Sequence, residues 1–106
     1  MAEEQHQARA DPELLRQLDD RSAAAEPVVA VFALRHPQGV VLSPDEVESL
    51  TSKLVRRVER EGESDVKDVN VFQNVGMFAV AADPSLIRLF LEQPEIESGV
   101  ANQQRD

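Results

Sequence analysis

The fold is decided by residues 71–100, which read VFQNVGMFAVAADPSLIRLFLEQPEIESGV. A β-branched and aromatic pair at 71–72 is followed by Gly76, which permits a tight reversal, and by an apolar strand over 77–82. Asp83 and Pro84 then provide a helix-start signal, and Pro94 ends that helix before a last strand over 95–101. The stretch predicts the order strand, turn, strand, helix, strand.

The residues before this stretch predict one more strand and one more helix. Residues 27–35 are β-branched and aromatic and stop at a turn signal over 36–39. Ser43, Pro44 and Glu46 form a capping box for a helix that Gly62 ends. Its apolar residues recur at helical spacing: Val47, Leu50, Leu54, Val55 and Val58. A weakly alternating strand over 65–74 follows, and its composition is typical of a sheet edge.

These elements complete the order β-α-β-β-α-β. We therefore expect an α+β, ferredoxin-like fold, with a four-stranded antiparallel sheet and two helices on one face, because right-handed connections place both helices on the same side. The 106 residues suffice for one domain. We assign residues 27–101 to it, residues 1–26 to a mobile tail with a short helix from Asp11 to Asp20, and residues 102–106 to a polar tail.

The sheet face away from the helices is predicted to be apolar. Such a face is normally polar in an antiparallel sheet, yet both parities of the first and third strands are apolar. The outward set comprises Val29, Val31, Ala33, Met77, Ala79 and Ala81. An apolar patch of this kind usually marks a binding partner.

Composition excludes several classes of function. The formal net charge of −9 opposes binding to nucleic acid or to anionic lipid, and the absence of cysteine excludes disulfides, thiolate metal sites and thiol nucleophiles. The amino terminus resembles no secretory leader, and no apolar run is long enough to span a membrane. We expect a cytoplasmic protein without a cofactor.

Catalytic and metal sites are not favoured by the residues present. The two histidines, His6 and His36, lie in a tail and beside a turn, while Ser43 and Ser85 stand at helix starts, where hydroxyls cap backbone N–H groups. Five carboxylates bracket Gly62, but their spacing does not match a calcium-binding loop. The group comprises Glu59, Glu61, Glu63, Asp65 and Asp68. We expect a solvated acidic loop and no enzyme activity.

The stretch from Val71 to Gly99 resembles the second half of the subtilisin-propeptide family. The resemblance rests on Val-Phe at 71–72, Gly-Met-Phe-Ala-Val at 76–80, a Leu-rich short helix, and Gln-Pro-Glu-Ile-Glu at 93–97. It implies a free-standing inhibitor or folding chaperone of a subtilisin-like serine protease. In that family the open sheet face packs on two surface helices of the enzyme.

The resemblance also implies that the segment after the last strand lies in the substrate groove of the protease. Here that segment comprises Val100, Ala101, Asn102, Gln103, Gln104, Arg105 and Asp106. Two other interpretations stay open. The open face could instead form a homodimer in a scaffold or regulatory module, or the domain could be a small enzyme or ligand-binding domain, since a fold does not fix a function.

Overall fold

A computed structural model describes residues 9–24, 27–36 and 41–101, without the side chains of 20–24. The chain forms five strands and three α-helices in this part. They are β1 (Arg9–Ala10), α1 (Pro12–Ala24), β2 (Val28–Leu34), α2 (Pro44–Gly62), β3 (Asp68–Phe72), β4 (Met77–Ala82), α3 (Pro84–Leu91) and β5 (Ile96–Ala101). A short 3-10 helix, Gln73–Val75, joins β3 to β4.

The five strands form one mixed sheet in the order β1-β5-β2-β4-β3. β2 pairs antiparallel with both β4 and β5, and β3 pairs antiparallel with β4. β1 pairs parallel with β5 through Arg9 and Ala10. The α+β class is confirmed. The prediction of a four-stranded, wholly antiparallel sheet with two helices was wrong, because β1 adds a parallel strand and α1 adds a helix.

Helix α1 packs into the domain. Leu14 and Leu18 are fully buried, whereas Leu15 on the opposite side is 43% exposed. The helix contacts α3, β2 and β5, and Asp19 forms an ion pair with Arg88 of α3. The leucines of α1 span about one helical turn, and this pattern alone does not predict the packing. A short helix is stabilised mainly by the surface it buries against other elements. The mobility expected for residues 1–26 stays a prediction.

The core lies between the helices and one face of the sheet. Side chains along β2 and β4 alternate between buried and half-buried, and the buried set includes Phe32 and Phe78. Their rings form a cluster with the ring of Phe90 from α3, with centroids 5.2–5.8 Å apart. Aromatic clusters at this spacing contribute beyond the area they bury. The helices therefore cover one sheet face only.

The helix boundaries confirm the capping prediction for α2 and revise its end. The Ser43 side chain accepts from the Glu46 N–H, and the Glu46 carboxylate accepts from the Ser43 N–H. Gly62 is the last helical residue, but the left-handed conformation that closes the helix belongs to Glu63, at φ 53°. Gly62 instead lies close against α3. A Cβ at this position would lie only 2.3 Å from Leu86 Cδ2.

Helix α3 begins as the sequence predicts but without a side-chain cap. Asp83 is the residue before the helix and has an extended backbone, yet its carboxylate makes no capping hydrogen bond. Its backbone carbonyl accepts from the N–H groups of Leu86 and Ile87 instead. The start of α3 therefore depends on Pro84 and on burial of its apolar residues more than on a cap.

Candidate protein-binding surface

The six side chains predicted for the open face lie together on the sheet side opposite the helices. All six are half-buried. They are Val29, Val31 and Ala33 from β2, and Met77, Ala79 and Ala81 from β4. We call this sheet surface the open face.

Two neighbouring strands add residues to the open face that sequence reasoning did not include. The register places Asp68, Asn70 and Phe72 of β3 opposite the outward residues of β4. It also places Ser98 and Val100 of β5 opposite the outward residues of β2. The alternation of polar and apolar residues over 68–71 was a usable sequence signal for β3. The positions of the β5 residues depended on a bulge in β5, where Ser98 pairs with Ala33 but Ile96 pairs with Leu34.

The apolar side chains form a continuous patch across the sheet. Val31 lies between Val100 on β5 and Ala79 on β4. In the next row, Met77 lies between Ala33 and Phe72, and Phe72 is 39% exposed. The patch is therefore apolar through its centre, which is the composition that protein interfaces have at their core.

Two of the three outward side chains of β4 are small. Ala79 and Ala81 lie between the larger side chains of β2 on one side and those of β3 on the other.

Polar and charged residues surround this apolar centre. On the β5 side, Arg9 of β1 lies opposite Ser98 and shares its face of the sheet. On the far side, β3 contributes Asp68 and Asn70, both exposed. The arrangement matches the polar rim around an apolar core that is typical of interfaces.

The segment expected to enter a protease groove begins within β5. Val100 and Ala101 are residues of β5, and Val100 is 42% exposed on the open face. Asn102, Gln103, Gln104, Arg105 and Asp106 lie outside the described residues. The direction in which β5 ends therefore fixes where this segment leaves the sheet.

A hydrogen-bonded cluster positions the start of β5. Arg57 of α2 donates two hydrogen bonds to the Glu95 carboxylate, at 2.9 and 3.1 Å, and one to the Gln93 side chain at 3.0 Å. The hydrogen bonds from Arg57 to Glu95 raise the pKa of the guanidinium above its ordinary value. Gln93 in turn donates to the Leu89 carbonyl. Paired donors and acceptors of this kind fix an orientation more than they add stability.

The residues considered for catalysis hold structural positions. His36 Nδ1 accepts a hydrogen bond from the Leu42 N–H at 3.4 Å, and Ser43 caps α2. Ser85 is exposed in the first turn of α3. His6 lies outside the described residues. No nucleophile, base and orienting group therefore meet within the part of the chain that is described.

Two of the five acidic residues near Gly62 accept hydrogen bonds from the backbone of the loop before β3 and of β3 itself. Glu59 accepts from the Val66 N–H at 2.9 Å, and Asp68 accepts from the Val69 N–H at 3.0 Å. Across residues 9–24, 27–36 and 41–101, no three His, Asp or Glu side chains are grouped so that they could hold a metal ion.

Within the same ranges, no helix is both long enough and apolar enough to cross a membrane.

Comparison with known proteins returned no match to a family model, to a curated protein or to a solved structure. The resemblance to subtilisin propeptides therefore rests on the residues quoted above.

Proposed function

We propose that the protein is a non-enzymatic binding protein of the propeptide type, which inhibits a subtilisin-like serine protease or assists its folding. The open face supports this proposal. Its apolar centre, formed around Val31 and Ala79, is flanked by polar residues. The resembling family uses the same sheet face to pack on surface helices of its protease.

The open face is too small to form a stable interface by itself, so a partner would need a second contact. Four strands spaced by about 4.8 Å and about five residues along each strand, at about 3.3 Å per residue, give a planar area of roughly 300 Å². A stable interface needs roughly 800 Å² from each partner. Residues 102–106, the part of the proposed segment that follows β5, are the natural second contact, because they continue β5 directly and would pair with a strand edge in the groove of the protease.

The planar area of the open face also weighs against the alternative function, a homodimer formed through this face. An uncharged centre of Val31, Ala79 and Val100 would pack against a second copy without repulsion. However, roughly 300 Å² from each copy falls below what stable dimers bury. A dimer formed by this face alone would be weak, so the inhibitor is the leading proposal and the dimer is the second.

Titration against a broad-specificity subtilisin-like protease tests the proposal. Residual activity and cleavage of the added protein should be followed in the same reaction. Stoichiometric loss of activity while the added protein stays intact supports inhibition, whereas rapid cleavage with no loss of activity identifies a mere substrate. Loss of neither, combined with a mass that doubles at micromolar concentration, would replace the inhibitor with the dimer.

A folding assay separates chaperone from inhibitor. A subtilisin-like protease should be denatured without its own propeptide and returned to native buffer with and without this protein. A chaperone raises the recovered activity after the added protein is digested or removed. An inhibitor that does not assist folding leaves that recovery unchanged.

A further inference from the structure

The outer edge of β3 is a second surface, separate from the open face. β3 is the last strand of the sheet order, and among the described strands it pairs with β4 alone. The opposite edge is different, because β1 lies against β5 and the Asp11 N–H donates to the Gly99 carbonyl at 3.0 Å. One edge is therefore covered by the chain itself, whereas no strand among the described residues covers the other.

The hydrogen bonds identify which backbone groups of β3 face outward. The Ala81 carbonyl of β4 points toward β3, since it accepts from the Lys67 N–H at 2.7 Å. The β3 residues opposite Met77, Ala79 and Ala81 therefore direct their N–H and C=O groups toward β4. Asp68, opposite Ala81, is one of these residues. Val69 and Val71 alternate with them, so their N–H and C=O groups point away from the sheet.

One of these outward donors is occupied by a side chain of the same strand. Asp68 Oδ1 accepts from the Val69 N–H at 3.0 Å. Its carboxylate oxygen takes the position that a carbonyl oxygen would take in an added strand. Charged side chains at an edge of this kind prevent uncontrolled pairing between sheets.

We propose that the outer edge of β3 binds an extended peptide segment that carries lysine or arginine, with Asp68 as the residue that selects it. Adding a strand places a peptide carbonyl on the Val69 N–H and displaces the Asp68 carboxylate. A cationic side chain in the added strand then pairs with that carboxylate across the strands, which is favourable, whereas an acidic or second β3 strand brings like charges together.

Charges beside the edge favour the same occupant. Asp65 and Glu63 are exposed just before β3, and Lys67 is the basic residue among them. An excess of carboxylates next to unpaired backbone groups attracts a basic segment and repels a second copy of this acidic chain. The proposal does not rest on protease inhibition, because it uses the backbone edge of β3 and not residues 100–106; the Asp68 side chain lies at the rim of the open face.

A peptide titration monitored by amide chemical shifts tests the proposal. The probe is a nine-residue peptide of alternating threonine and lysine, compared with the same peptide N-methylated at every residue, so that neither edge can pair, and with a version that carries glutamate for lysine. The lysine peptide should shift the amides of Val69 and Val71 and saturate. The N-methylated peptide keeps its charge but cannot pair as a strand, so we expect at least tenfold weaker binding.

Two variants assign the role of Asp68. Asp68→Asn keeps an oxygen for the Val69 N–H but removes the charge, and should weaken the lysine peptide by about threefold to fivefold, as expected for one exposed charge pair. Asp45→Asn removes the same charge from the start of α2 and should leave binding unchanged. Equal binding of the methylated and unmethylated peptides, or equal effects of both variants, would overturn the proposal. Shifts at Val69 and Val71 that depend on protein concentration alone would assign the edge to a second copy instead.

Discussion

Val31 of β2 lies directly opposite Val100 of β5, and both side chains are on the sheet face away from the helices. The first belongs to the apolar centre of the open face, and the second begins the segment proposed to enter a protease groove. The two proposed contacts are therefore adjacent on one surface. A single partner can engage both without any rearrangement of this domain.

Placing a charge in the centre of the open face should abolish partner binding. Val31→Lys should weaken protease inhibition by at least tenfold, or about 1.4 kcal/mol, because an apolar partner surface would have to desolvate the ammonium group. Helix content by circular dichroism should not change, since Val31 is only half-buried. Val41→Lys is the matched control, because Val41 is 78% exposed and lies outside the open face. Equal effects of the two variants would remove the open face from the interface.

Deleting residues 102–106 should also weaken inhibition by at least tenfold. Strand-like pairing in a groove depends on the number of backbone hydrogen bonds, so length matters more than any one of these side chains. Replacing Gln104, Arg105 and Asp106 with small apolar residues should strengthen inhibition, since the subtilisin-propeptide family that the chain resembles commonly has small or apolar side chains in this segment. Inhibition constants for the intact, deleted and replaced proteins decide the question. An unchanged constant after deletion would assign all binding to the open face.

Adding one methyl group at Gly99 should destabilise the domain. A Cβ there would lie 2.9 Å from two ring carbons of Phe32 and 3.0 Å from Leu91 Cδ2. The ring is held in the aromatic cluster, so Gly99→Ala should lower the free energy of unfolding by about 1–3 kcal/mol. Ser98→Ala, on the open face next to it, should change it by less than about 0.5 kcal/mol. Urea denaturation of both variants provides the measurement.

Replacing Glu63 with glycine should stabilise the protein. Glu63 has φ 53°, a left-handed conformation that costs a residue with a Cβ about 1 kcal/mol, whereas glycine adopts it readily. We expect the free energy of unfolding to rise by about 0.5–1 kcal/mol. Glu61→Gly, two residues earlier within α2, should lower it by about 1 kcal/mol, because glycine is unfavourable inside a helix. Thermal melts that shift in the same direction for both variants would contradict this account.

Thr51→Val should stabilise the core. Thr51 is 1% exposed, and its hydroxyl oxygen has no hydrogen-bond partner among the described residues. Valine has nearly the same shape and removes the cost of burying that hydroxyl, so the free energy of unfolding should rise by about 1 kcal/mol. Thr51→Ser keeps the hydroxyl and loses a methyl group, and should lower it. A destabilised valine variant would show that the hydroxyl is satisfied in solution.

The sequence by itself determined the local elements. The capping box at Ser43 and Glu46 and the left-handed Gly76 are present as their residue types require, and the two-residue period of an extended strand divides the side chains of β2 and β4 into two sets. These signals are local, since each depends on residues within one or two turns of the chain. The six side chains of the open face followed from the alternation once the helices were assigned to one side.

Only the tertiary structure decided how the amino-terminal part and the edges are arranged. Arg9 and Ala10 show no sequence periodicity from which a strand could be predicted. The residues with which they pair lie almost 90 residues away in β5. Leu14 and Leu18 are likewise buried by segments that are distant in the sequence, because α1 packs against α3 and β5. The rows across the open face likewise depend on register and on a bulge in β5, both set by contacts between distant segments. Long-range pairing has no local signature, which is why sequence reasoning predicted the elements but not the complete sheet.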